Sequence, residues 1–123
     1  MDLTLEVPDG HLFIRSVDQR GIGIGDQFHR SSLIISGSEV VSDWPVDVVD
    51  DIDEQSLQAV IDLEPELVLL GTGSRQIFLE PETQMIFFRR QIGFEVMTTD
   101  AACRTFNVLV AEGRKVVAAL LPL

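Results

Sequence analysis

The pattern of apolar and polar positions changes character near residue 50. Before that point, short alternating runs separated by glycine are typical of strands in hairpins or meanders. Beyond it, continuous apolar runs alternate with stretches of helical spacing. The predicted order of elements is therefore ββββ-α-β-α-β-α-β. Helices between strands imply crossover connections, so we expect one compact three-layer α/β domain over residues 1–123, with a mixed, mostly parallel central sheet, helices on both faces and an N-terminal β-hairpin or meander extension.

The predicted strands fall into two groups. Those of the first half alternate and cover residues 12–17, 28–32, 33–36 and 39–44. Those of the second half cover residues 67–70, 94–97 and 116–121, of which 67–70 and 116–121 are apolar throughout. Short runs without polar alternation are typical of strands that are covered on both faces.

Three helices are predicted from their start and stop signals, over residues 53–63, 81–93 and 98–113. Asp53 is a favoured N-cap, and Pro81 suits the first helical position. Either Thr98 or Thr99 caps the third helix. Gly93 and Gly113 are expected to close the second and third helices.

The net charge of −11 belongs to the first half of the chain, because residues 1–66 carry −12 and residues 67–123 carry +1. This acidity excludes nucleic acid as an expected partner, since phosphate binding draws on clustered bases. The longest apolar run, 116–121, is far shorter than the roughly 20 residues of a membrane helix. The acidic N-terminus, residues 1–6, lacks a secretory pattern. We expect a bacterial-type, cytoplasmic protein without membrane insertion.

A candidate anion site follows the apolar run 67–70, because ligands of open α/β sheets bind beyond the carboxyl ends of strands. Its residues are Gly71, Thr72, Gly73, Ser74 and Arg75. Backbone N–H groups there can form an anion nest. The alternative is a tight turn whose glycines adopt positive φ. No P-loop lysine follows.

A second junction opens the third predicted helix, where spare N–H groups favour anions. Its candidate residues are Thr98, Thr99, Asp100, Arg104 and Asn107. If sheet order places this junction beside residues 71–75, the two form one cleft, with Asp100 as its only credible general base. The alternative is a capped surface helix whose Asp100 pairs with Arg104.

Other polar features favour structural roles. The glycines of residues 21–25 lack dinucleotide-binding spacing and a following helix. The lone Cys103 excludes an internal disulfide and is expected to be a buried apolar residue. The acidic run 43–54 lacks a calcium-loop pattern and is interpreted as a solvated loop that leads into a helix cap. No metal, cofactor or catalytic constellation is predicted.

A candidate interface lies in the second predicted helix, where four large apolar residues are consecutive. They are Met85, Ile86, Phe87 and Phe88. A surface helix buries one stripe, so at least one of them is expected to point away from the sheet. Trp44 is a second candidate anchor. The alternative is full internal burial.

The motifs together resemble a small domain family of unknown function that includes mitochondrial complex I assembly factor 3 and the adipogenesis-associated Mth-domain protein. The resemblance covers nearly the whole chain and is carried by Trp44 and by residues 71–73, 97–102, 104–109 and 112–114. It implies a compact α/β fold with a mixed sheet and, because the family has no established catalytic residues, no catalytic assignment.

Two functions follow as hypotheses. The first is a non-catalytic protein-interaction or assembly-type module, with a protein partner or a second copy of the chain. The second is binding of a small anionic ligand between residues 71–75 and 98–107.

Overall fold

The apolar runs 67–70 and 116–121 form neighbouring inner strands of the central sheet. The computed structural model describes Leu3 and residues 10–123. Within these residues the elements are, in chain order, β1 (Ile14–Asp18), β2 (Gly21–Ile24), β3 (Gln27–His29), β4 (Leu33–Ile35), β5 (Val40–Val41), a 3₁₀ helix (Val49–Asp51), α1 (Glu54–Ile61), β6 (Leu67–Gly71), α2 (Pro81–Arg89), β7 (Gly93–Met97), α3 (Thr99–Ala111) and β8 (Val116–Leu120).

A five-stranded sheet has the strand order β5-β4-β8-β6-β7. Strands β7 and β8 both pair in parallel with β6, as helical crossovers require. Strand β4 pairs antiparallel with β8, and β5 pairs antiparallel with β4. The sheet is therefore mixed, and its predicted mostly parallel character is not confirmed. The three-layer arrangement stays a prediction.

Alternate residues of β6 belong to two separate cores. Val68 and Leu70 pack with residues of α1 and α2, including Phe87. Leu69 packs instead with residues of α3, β1 and β2, including Phe106. Both faces of β6 are thus buried, which explains why this strand is apolar at every position.

The predicted N-terminal meander is a three-stranded antiparallel sheet in the order β1-β2-β3. Sequence analysis missed β2 as a separate strand because two of its four residues are glycines, which are depleted in strands. The neighbouring strands β1 and β3 approach these glycines closely. A Cβ on Gly23 would lie 2.5 Å from the Ser16 hydroxyl, and one on Gly21 would meet the His29 carbonyl. Their structural interpretation is confirmed.

The predicted helix starts are confirmed. Asp53 is the N-cap of α1, and its carboxylate accepts a hydrogen bond from the Ser56 N–H at 2.7 Å. Pro81 occupies the first position of α2, and Thr98 is the N-cap of α3.

One predicted helix end is wrong. Gly93 does not close α2, which ends at Arg89, but begins β7 instead. The turn is made by Gln91, whose φ of 58° lies in the left-handed region. Helix α1 also ends earlier than predicted, at Ile61, whereas Gly113 follows α3 with a positive φ as expected.

None of the helices in the described part of the chain is long and apolar enough to cross a membrane. Most of residues 1–6, on which the absence of a secretory pattern was argued, lies outside the described residues.

Asn107 of α3 joins the small sheet to the rest of the fold. Its side chain is 2% exposed. The amide oxygen accepts from the Ile14 N–H at 2.8 Å, and the amide nitrogen donates to the Ile14 carbonyl at 2.8 Å. One side chain thus satisfies both backbone groups of a buried β1 residue.

We expect Asn107→Leu to lower the free energy of unfolding by about 2–4 kcal/mol, because two buried backbone groups lose their partners. Urea denaturation measures this loss. The matched control is Val108→Ala, at a half-exposed position on the same helix, which should change stability by no more than about 0.5 kcal/mol. Equal stability of Asn107→Leu and the wild type would contradict the anchoring role.

Candidate functional site

The two predicted strand-end segments lie side by side. Gly71 at the end of β6 is opposite Met97 at the end of β7 in the parallel register. Beyond the strands, the Thr72 N–H donates to the Met97 carbonyl and the Thr99 N–H donates to the Gly73 carbonyl, each at 2.9 Å. The structure therefore brings residues 71–73 together with the start of α3.

The buried side chain of Thr99 connects the segments of this junction by hydrogen bonds. The side chain is fully buried, and its hydroxyl accepts from the Gly73 N–H at 2.8 Å while donating to the Leu121 carbonyl at 2.6 Å. Gly71 permits this approach, since a Cβ there would lie 2.9 Å from Thr99 Cα. One hydroxyl thus connects the segments that follow β6, β7 and β8.

Two of the backbone donors expected for an anion nest are engaged within the chain. The N–H groups of Thr72 and Gly73 donate to Met97 and Thr99 respectively. The Thr72 hydroxyl, also buried, donates to the Arg75 carbonyl at 2.6 Å. Gly73 has a φ of 94°, as the tight-turn interpretation expects. The exposed polar side chains of this segment are those of Ser74 and Arg75.

The pKa of the Asp100 carboxyl is shifted in the direction opposite to that of a general base. A hydrogen bond from the Thr98 hydroxyl, with a smaller contribution from Arg104, lowers the pKa of its carboxyl below the ordinary value. Arg104 lies 3.4 Å from Asp100 and about half of its side chain is exposed. A general base that works near neutral pH needs the opposite shift. Asp100 therefore matches the capped-helix interpretation.

The remaining residue of the predicted cleft is directed elsewhere. The side-chain amide of Asn107 is hydrogen-bonded to the Ile14 backbone, so it does not join Arg104 in a common site. No metal-binding group of three or more His, Cys, Asp or Glu side chains occurs in the part of the chain that the structure describes. Binding of a small anionic ligand between 71–75 and 98–107 stays a prediction.

Thr99→Val should destabilise the protein by about 2–4 kcal/mol, because the Gly73 N–H and the Leu121 carbonyl would both be left buried without a partner. Thr99→Ser keeps the hydroxyl and loses one methyl group, so it should cost only about 1 kcal/mol. Thermal and urea unfolding of the pair measure the difference. Similar losses for the two variants would show that packing, and not the hydroxyl, holds the junction.

Cys103 is fully buried, as the sequence predicts. Burial, reinforced by the nearby Asp100 charge, raises the pKa of its thiol to about 12. Helix position therefore does not activate this thiol, which stays protonated at neutral pH.

We expect the native protein not to react with Ellman's reagent at pH 8, because the thiolate is the attacking species and the thiol is both buried and neutral. In urea the thiol is exposed and ionises near its ordinary pKa, so one equivalent should react. Rapid labelling of the native protein would contradict the assigned burial.

The predicted interface residues divide between core and surface. Trp44, Ile86 and Phe87 are buried, so they are not available as anchors. The Trp44 indole N–H donates to the Ser56 carbonyl at 2.9 Å. The Phe87 ring stacks on Phe94 at 4.4 Å between centroids.

The expectation that one of the four helical residues points outward is confirmed. Phe88 is 73% exposed and Met85 is 38% exposed. Successive residues of a helix differ by about 100° in direction, so a four-residue apolar run cannot be buried on one face. Helix α2 therefore presents apolar surface on the side away from Phe87.

This surface borders a groove between α2 and β7. The cavity measures about 490 Å³ and is lined by Pro81, Gln84, Met85, Phe88, Ile92, Gly93 and Phe94. We call it the α2–β7 groove. Every lining residue is uncharged, and β7 is the edge strand of the five-stranded sheet.

The backbone of β7 alternates between its neighbour and the outer edge. The Gly93 N–H and the Met97 carbonyl bond toward the β6 side. Phe94 and Val96 therefore direct their backbone groups outward. The Gln76 amide donates to the Val96 carbonyl at 3.0 Å and covers that end of the edge. The end beside Phe94 adjoins the α2–β7 groove.

Sequence analysis missed a second apolar surface. Phe78 is 77% exposed and Val48 is 56% exposed. A cavity of about 330 Å³ lies beside them, lined by Val49, Asp50, Ile52, Phe78, Leu79, Glu80 and Thr83. The available signal was the apolar run 77–79 just before Pro81, but the pattern alone does not show which of its members face solvent.

Comparison with known proteins places the chain in a wider group. A family described as "Protein of unknown function (DUF498/DUF598)" matches residues 14–121. The mouse protein "NADH dehydrogenase [ubiquinone] 1 alpha subcomplex assembly factor 3" is 36% identical over 114 residues, covering 90% of the chain and 60% of that protein. The chain thus spans about 60% of the length of this relative.

A bacterial relative has a different name. The "13 kDa major membrane protein" of Francisella tularensis is 33% identical over 98 residues, covering 77% of the chain and 76% of that protein. The cytoplasmic location and bacterial origin therefore stay predictions.

Solved structures share the fold. The crystal structure of a Bordetella parapertussis protein has a TM-score of 0.87 at 36% identity, covering 94% of the chain and all of that protein. The solution structure of a Bordetella pertussis protein, described as a Mth938-like domain, has a TM-score of 0.83 at 30% identity, covering 99% of the chain and 92% of that protein.

Proposed function

The chain belongs to the DUF498/DUF598 family of proteins of unknown function, as its motifs predict, and we propose that it acts as a protein-interaction module of the assembly-factor type. Relatives at about one-third identity are named as complex I assembly factors. The role of those whole proteins supports the proposal by analogy, and the surface of this chain supports it physically.

The observation that carries the proposal is the exposure of Phe88 beside the α2–β7 groove. Covering a large apolar side chain contributes about 1.5–3 kcal/mol, which the isolated chain leaves unused at this position. Met85 and the partly buried Phe94 extend the same uncharged surface. A partner that covers these residues is stabilised by their burial, and no charged side chain of the groove has to be desolvated.

The edge of β7 determines how such a partner binds. An extended segment can pair with the outward backbone groups of Phe94 and place an apolar side chain in the groove. This mode is strand addition, in which main-chain bonds supply affinity and a pocket supplies specificity. Because Gln76 occupies the Val96 carbonyl, pairing is confined to the end of β7 beside Phe88.

Phe88→Ser should abolish partner binding while leaving stability nearly unchanged, because the side chain is mostly exposed. The test compares tagged wild type and variants as baits in a lysate of the organism that produces the protein, with quantitative mass spectrometry of the retained proteins. Val108→Ser, an exposed apolar position on α3, is the matched control.

Proteins retained by wild type and by Val108→Ser, and lost with Phe88→Ser, would support the interaction module. Size-exclusion chromatography with light scattering reports whether a second copy is the partner. A strict monomer whose retained proteins are the same with and without Phe88 would contradict the proposal.

A further inference from the structure

The apolar surface around Phe78 has the form of an anchor site. Val49, Ile52 and Leu79 also line the cavity, but each is less than one-tenth exposed, so Phe78 supplies most of the apolar surface that a partner can reach. Phe78 lines the cavity but is itself mostly exposed, so its ring forms a wall that a partner can touch. The cavity measures about 330 Å³.

The rim of this cavity is acidic. Asp50 and Glu80 belong to its lining, and Asp47, Asp51 and Glu82 are close to them in the chain. Residues 39–82 contain twelve acids and a single base, Arg75. None of the rim carboxylates takes part in an ion pair among the described residues. Their charge is therefore available to an external cation.

We propose that this cavity, the Phe78 pocket, binds a basic polypeptide segment with an apolar anchor residue. The anchor packs against the exposed ring of Phe78 at the mouth of the cavity. Arginine or lysine side chains on either side pair with Asp50 and Glu80, and an arginine also stacks on the exposed Phe78 ring. The pocket shares no lining residue with the α2–β7 groove, so this inference goes beyond the proposed function.

The negative net charge of the chain favours a basic segment over a second copy of the chain as the partner at this pocket. Two copies carry −11 each and repel one another, whereas a basic segment is attracted. The attraction acts over about 8 Å at physiological salt, which is enough to steer a segment toward the rim before the apolar contact forms. Contact of the anchor with the exposed Phe78 ring then supplies a specificity that charge alone lacks.

The test uses the whole chain and a fluorescein-labelled synthetic peptide in which arginines alternate with leucines around one phenylalanine. Fluorescence anisotropy measures its Kd at low and at physiological salt. We expect saturable binding that weakens with salt, and none for the same peptide with glutamate in place of arginine. Amide shifts in the two-dimensional NMR spectrum should be confined to residues 48–52 and 78–83.

Two variants separate the charge contribution from the apolar one. Asp50→Asn with Glu80→Gln should weaken binding by about tenfold. Phe78→Ser should weaken it by about tenfold as well. Glu39→Gln with Glu112→Gln removes the same charge from exposed positions elsewhere and should leave Kd within about twofold.

Four outcomes would overturn the inference. They are equal affinity for the Phe78→Ser variant, equal losses for the two charge variants, shifts that map to the α2–β7 groove, and concentration-dependent self-association that Phe78→Ser removes. Phe88→Ser is included in each titration. Loss of peptide binding with Phe78→Ser but not with Phe88→Ser keeps this inference distinct from the proposed function.

Discussion

The fold depends on a single buried hydroxyl at the point where three strands end. Thr99 accepts from Gly73 and donates to Leu121, so it holds together the segments that follow β6, β7 and β8. The same position in many open α/β sheets is where a ligand binds. Here the N–H groups of Thr72 and Gly73, which a ligand could have used, are already hydrogen-bonded within the chain. The binding surfaces that we propose lie elsewhere, beside α2.

Those outer surfaces differ in charge and in shape. The α2–β7 groove is uncharged and adjoins an open strand edge, whereas the Phe78 pocket is rimmed by carboxylates. Residues at the start of α2 line both surfaces, so the position of this helix determines both of them. The interaction module that we propose would present two surfaces of different chemistry, both lined in part by α2.

Local signals were sufficient for much of the fold. Asp53, Pro81 and Thr98 mark helix starts through hydrogen bonding and ring geometry that depend on near neighbours only. Strand β2 was missed because the need for its glycines comes from Ser16 and His29 on adjacent strands. The direction of Asn107 depends on Ile14, which is 93 residues away in the chain, so its position on α3 alone does not show where its side chain bonds. Exposure of Phe78 is likewise a tertiary property.

Strand β8 lies between β4 and β6, although it is the last strand of the described chain. A ribosome makes β4 and β6 first, but neither can acquire this shared neighbour until β8 has emerged. The sheet therefore cannot be completed gradually during synthesis. Its closure is a late event over contacts of long sequence separation, which favours slow folding. Until then, β4 and β6 each present an unpaired strand edge, and such edges are prone to aggregation.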